Sequence, residues 1–74
     1  MYLSDLKINQ EATIINISSN EELKQRFYSF GINKGSIVKV EAISPTKNTL
    51  EINVEDTFIA LRVEEAKTIE VKVD

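Results

Sequence analysis

The sequence predicts a mainly β fold. About five short strands form an antiparallel sheet curled into a small barrel, with one short α-helix between the first and second strands and one helical turn before the last. Three observations carry this expectation. Apolar residues recur at every second position in several short runs, the period of a strand with one buried face. Polar turn signals separate those runs at hairpin distances. The chain has 74 residues and no cysteine, so one small core must hold by apolar packing, and curling the sheet protects its edges.

Thr13-Ile14-Ile15-Asn16-Ile17 is rich in β-branched residues and reads as the first strand. Ser19 and Glu22 then form a Ser-x-x-Glu capping box, with Glu21 and Glu22 suited to the positive end of a helix dipole. Leu23, Phe27 and Phe30 recur at i, i+4 and i+7, which gives a single apolar stripe and assigns both phenylalanines to the core. Gly31 lies just past that stripe, where a left-handed helix cap is favoured, and Ile32 folds back onto it.

Ser36 to Ile43 alternates around Val38, Val40 and Ala42, with Lys39 and Glu41 opposite. Ser44 to Thr49 is a polar turn that holds the only proline. Leu50, Ile52 and Val54 alternate with Glu51 and Asn53, and Glu55-Asp56 reads as a tight hairpin into Thr57–Leu61. Val63–Lys67 fits one helical turn, and Ile69, Val71 and Val73 form the last strand. In so short a chain this order closes most economically as an SH3-like barrel, occupying residues 1–74 as a single domain.

Composition narrows the function. Twelve acidic and nine basic residues leave a formal charge of −3, with the signs interleaved. Nucleic-acid binding needs a clustered positive surface, so no nucleic-acid partner is expected. No run approaches the roughly 18 apolar residues of a membrane span. The start, Met1 to Lys7, lacks the basic and apolar regions of a signal peptide. A cytoplasmic protein without membrane insertion is the resulting expectation.

Histidine is absent, so no serine has a base to activate it, and no glycine-rich loop cradles a phosphate. Neither an enzyme nor a nucleotide binder is expected. Glu64-Glu65 and Glu55-Asp56 are adjacent carboxylates, yet they lack the spacing of a ligand loop and read as solvated charge. No resident metal or cofactor is expected.

The remaining candidates are contact residues. Tyr28 falls about 140° from Leu23 on a helical wheel and faces water, as an ordinary surface tyrosine or as a partner contact. Phe27 or Phe30, if half-exposed, would serve as an anchor. Gly31 and Gly35 serve the backbone first and shape a contact loop second. Arg26 is placed to pair with Glu22. Arg62, before Glu64 and Glu65, makes a local ion pair, orders the last turn or touches a partner. Exposed strand edges leave homo-oligomer formation open.

Three motifs in order resemble the FeoA family of bacterial ferrous-iron uptake. They are Leu3-Ser4-Asp5-Leu6, then Arg26-Phe27-Tyr28-Ser29-Phe30-Gly31-Ile32-Asn33-Lys34-Gly35, then Ile59-Ala60-Leu61-Arg62 followed by Ala66 and Ile69-Glu70-Val71. Asn9 and Asp56 stand where that family usually has glycine, and both residue types tolerate positive φ. The Pro45–Asn48 loop also lacks its usual glycine, and phenylalanines replace leucines at 27 and 30.

The resemblance implies an SH3-like fold and a cytoplasmic accessory role. The implied partner is a membrane ferrous-iron transporter with a cytoplasmic GTPase domain, contacted through Arg26, Phe27, Tyr28, Phe30, Gly31, Gly35 and Arg62. Two alternatives stand beside it. One is an SH3-like peptide-binding module, disfavoured by the absence of tryptophan. The other is a metal-responsive regulatory domain of the iron-repressor type.

Overall fold

Alternating apolar runs become strands here because each can bury one face on the same core. In a computed structural model describing residues 1–73, these are β1 (Glu11–Ile17), β2 (Ile37–Ile43), β3 (Thr49–Val54), β4 (Thr57–Arg62) and β5 (Ile69–Lys72). All pair antiparallel in one sheet, ordered β4-β3-β2-β1-β5. Helix α1 (Glu21–Ser29) joins β1 to β2, and the single turn α2 (Val63–Ala66) joins β4 to β5. Every predicted element is present in the predicted order.

The barrel is not closed by hydrogen bonds, which corrects the expected closure: β4 and β5 are the two edges of the sheet. The reason lies at the N-terminus. The Val71 N–H donates to the Met1 carbonyl at 2.8 Å, and Tyr2 bridges Glu70. The outer edge of β5 is therefore occupied by the chain's first residues and does not pair with β4.

The inner faces of all strands meet Phe27 and Ile32 from the helix and its corner, Leu3 and Leu6 from the N-terminal segment, and Ala66 from α2. Two irregularities set which residues reach this core. In β1 the pairing to β5 jumps from Ile14 to Asn16, so Ile15 is the extra residue and turns outward. Ile14 and Ile17 are thereby both buried, although three positions apart. In β2 the pairing to β3 jumps from Val40 to Ala42. This bulge reverses the alternation, so Ala42 is exposed and Ile43 lies opposite buried Leu50. The expected core position of Ala42 is corrected accordingly.

The helix begins one residue later than the capping-box reading places it. Asn20 is the cap, its Oδ1 accepting the Leu23 N–H at 2.8 Å. Ser19 has a different partner, Thr68, at 2.6 Å. Thr68 spends its hydroxyl hydrogen on the Glu65 carbonyl at 2.7 Å, so Ser19 is the donor. The β1–α1 junction is thus tied to the turn after α2.

At its other end the helix closes as a Schellman motif. The Ile32 N–H reaches the Phe27 carbonyl at 2.9 Å, and the Gly31 N–H reaches that of Tyr28 at 3.0 Å. Gly31 has φ +86°, the left-handed value the motif demands. Ile32 and Phe27 are both fully buried, as the fold-back predicts. Phe30 is not. It is the cap residue and stays 39% exposed, which corrects its assignment to the core. The stripe is centred on Phe27, and Phe30 lies about 60° away on the wheel, beyond the last helical residue.

Non-glycine residues take the remaining tight turns. Val54 faces Thr57 across a two-residue loop in which Glu55 has φ +50° and Asp56 φ +67°, the signs of a type I′ hairpin. Asn9 has φ +72°, matching the tolerance expected of it. In the glycine-less loop Lys47 takes φ +60°, and the Ser44 hydroxyl accepts the N–H groups of Asn48 and Thr49 at 3.2 and 3.1 Å.

Candidate contact surfaces

The predicted contact residues divide between two surfaces. Arg26 and Tyr28 are two positions apart on α1, hence about 160° apart around it, and point in opposite directions. Tyr28 is 45% exposed, as the wheel predicts. With Phe30 it marks the C-terminal end of the helix, where the Gly31–Gly35 corner begins.

That corner is braced from within. The Ser36 hydroxyl donates to the Gly31 carbonyl and accepts the Asn33 N–H, both at 3.2 Å. The Gly35 N–H donates to the Ile14 carbonyl at 2.7 Å, and Ile14 returns a bond to Ser36 at 2.9 Å. A Cβ at Gly31 or Gly35 would meet nothing within 4 Å. Both glycines are therefore required by their φ values of +86° and +90°, not by crowding. Phe27, behind them, is fully buried and supports the surface without contributing to it.

The second surface is a shallow open groove lined by Arg26, Thr49, Ala60, Leu61, Arg62, Glu64 and Glu65. Glu65 organises it. One carboxylate oxygen accepts the Arg62 backbone N–H at 3.0 Å, and the other accepts Arg26 Nη1 at 3.1 Å. Its side chain is only 16% exposed. Two expectations are corrected here. Arg26 reaches across to Glu65 instead of pairing with Glu22 on its own helix, and Glu65 is an engaged carboxylate instead of solvated charge. A partner in a fixed neighbouring element holds Arg26 better than a mobile side chain one turn away.

Arg62 does form the expected local pair, with Glu64 at 3.7 Å. Both side chains are 76% exposed, so this pair contributes little. What orders the turn is the Arg62 backbone, capped by Glu65. No local sequence signal marks Glu65, because a reach-back to the cap residue normally follows a serine or threonine, and position 62 is an arginine.

No group of three or more Asp, Glu, His or Cys side chains converges among the described residues. Among those residues, no helix is long and apolar enough to cross a membrane. The surface thus offers two exposed aromatics at the C-terminal end of α1 and a charge-balanced groove.

Five antiparallel strands, a helix inserted after the first and a helical turn before the last define a small SH3-like β protein. The model of the FeoA domain family matches residues 1–73, and the chain belongs to the FeoA family. It is 38% identical over 73 residues to a Campylobacter jejuni chain inferred to be an Fe(2+) transport protein A, covering 99% of both.

Among solved structures, Stenotrophomonas maltophilia FeoA complexed with zinc is 30% identical, with a TM-score of 0.84 over 97% of this chain and 89% of that one. Chlorobium tepidum FeoA is 26% identical, with a TM-score of 0.94 over 99% of this chain and 70% of that one. A manganese-dependent transcriptional repressor shares the fold at 20% identity and a TM-score of 0.90, this chain covering 41% of it.

Proposed function

We propose that this chain acts in ferrous-iron uptake by binding the cytoplasmic, GTP-hydrolysing part of a membrane iron transporter. It works by contact and not by catalysis. Family membership supplies the transport role. The observation supporting the contact is the exposure of two aromatics, Tyr28 and Phe30, at the C-terminal end of α1. Aromatic side chains that a braced turn holds out of the core lose little entropy on docking and dominate interface energetics. Arg26 and Arg62 line a separate groove, which supplies a polar contact. To regulate the transporter, the domain must bind one of its nucleotide states more tightly than another.

The test is recovery of the transporter from detergent-solubilised membranes by tagged protein. Wild type is expected to recover it. The Tyr28→Ala/Phe30→Ala variant should recover at least about tenfold less, since a buried interface aromatic contributes about 1–2 kcal/mol or more. Both positions are exposed, so the variant should give a wild-type circular dichroism spectrum. Equal recovery by the folded variant rejects the aromatic surface, and Arg62→Ala then tests the groove. No recovery by wild type rejects the transporter reading itself.

A further inference from the structure

The two edges of the sheet are not treated alike. Met1 and Tyr2 cover β5, whereas among the described residues no other segment pairs with the outer side of β4. Natural edge strands are usually blunted by lysine, proline, a bulge or a covering segment. Strand β4, Thr57-Phe58-Ile59-Ala60-Leu61-Arg62, has no lysine or proline and pairs with β3 without a register shift. Its outward side chains are Phe58, 63% exposed, the small Ala60 and, at its end, Arg62.

We infer that this edge pairs with the same edge of a second copy, antiparallel about a two-fold axis at Ile59. Backbone geometry fixes the register. The two-residue loop makes Val54–Thr57 a mutually hydrogen-bonded pair, so Thr57, Ile59 and Leu61 direct their N–H and C=O groups to β3. The next odd position agrees, because the Val63 N–H bonds the Asn48 carbonyl at 2.8 Å. Phe58, Ala60 and Arg62 then face outward, and the Arg62 N–H is already taken by Glu65 at 3.0 Å. Open N–H and C=O groups remain together only on Phe58 and Ala60.

One register satisfies all of them: Phe58 opposite Ala60 of the second copy, and Ala60 opposite its Phe58. The large ring then lies over the small side chain in both halves, a close fit for a cross-strand pair. The same register sets Asp56 at one end of β4 opposite Arg62 of the second copy. Opposite charges therefore meet at both ends of the contact. Pairing the strands one step either way leaves Phe58 or Ala60 without a complete partner and separates the charges.

The experiment is sedimentation equilibrium from micromolar to millimolar protein, with amide hydrogen exchange at matched concentrations. Wild type should pass from monomer to dimer, and the Phe58 and Ala60 amides should slow in step with dimer formation. Ala60→Lys puts a charge under the partner ring at an exposed site and should weaken dimerisation at least tenfold. Should that chain not fold, Phe58→Lys reads the same contact. A monomer at millimolar concentration overturns the inference, including the case where these amides slow only when another protein's strand is added. A dimer whose Phe58 and Ala60 amides exchange freely also overturns it.

Discussion

Phe27→Ala is expected to remove about half of the folding stability of this domain. Phe27 is fully buried and, among the described residues, is the one aromatic in the core, which it shares with Ile32 and the inner faces of the strands. Truncating such a ring removes its transfer free energy and leaves a cavity, at a cost of about 3–5 kcal/mol. A domain of this size has a total stability of roughly 4–11 kcal/mol, so about half of the margin disappears. Phe30→Ala provides the internal control. The same residue type, three positions on, should lose much less, about 1 kcal/mol, because its ring is 39% exposed and leaves no enclosed cavity. Urea titration followed by circular dichroism decides the point. Equal losses from the two substitutions would show that the core is not centred on Phe27.

Gly31→Ala has the second-largest expected effect, through a different cause. The added methyl would touch nothing, so any loss is the backbone cost of holding a non-glycine residue at φ +86°. That cost is about 1–2 kcal/mol. In a domain this small each kcal/mol lowers Tm by roughly 4–8 °C, so a fall of about 5–15 °C is expected by calorimetry. Asparagine visits the left-handed region more readily, and Gly31→Asn should recover about half of the loss. If alanine and asparagine melted together, the left-handed cap would not be what requires glycine.

The fold was largely legible because the signals that encode it are local. Period-two alternation marked the strands, and Gly31 marked the end of α1. The polar pair Glu55-Asp56 marked a hairpin that the structure closes with both residues at positive φ. What stayed hidden depends on partners distant in sequence. Nothing near Ser19 discloses that its hydroxyl is taken by Thr68, leaving Asn20 to cap the helix. Nothing near Ala42 discloses the bulge that turns it outward, since a bulge is a property of two strands and not of one. The contact residues follow the same rule. The exposure of Tyr28 follows from the wheel alone, whereas the partner of Arg26 is Glu65, visible only once the fold brings α2 within its reach.

The two neighbours of β1 arrive at very different times. Strands β2, β3 and β4 form a meander whose partners lie close along the chain, with Val40 opposite Ile52 and Ile52 opposite Ile59. Strand β1 instead pairs with β5 almost a whole chain length away, Thr13 opposite Lys72. Loop closure makes such distant pairing slow, so the meander is the natural folding nucleus and β1–β5 closure the late step. Ile52→Val should then chiefly slow refolding, and Val71→Ala chiefly speed unfolding, in stopped-flow measurements. Equal slowing of refolding by both would reject that order. During synthesis the strand that completes the sheet emerges from the ribosome after the other four. Until then β1 waits with one side unpaired, and the core can close only once β5 has emerged.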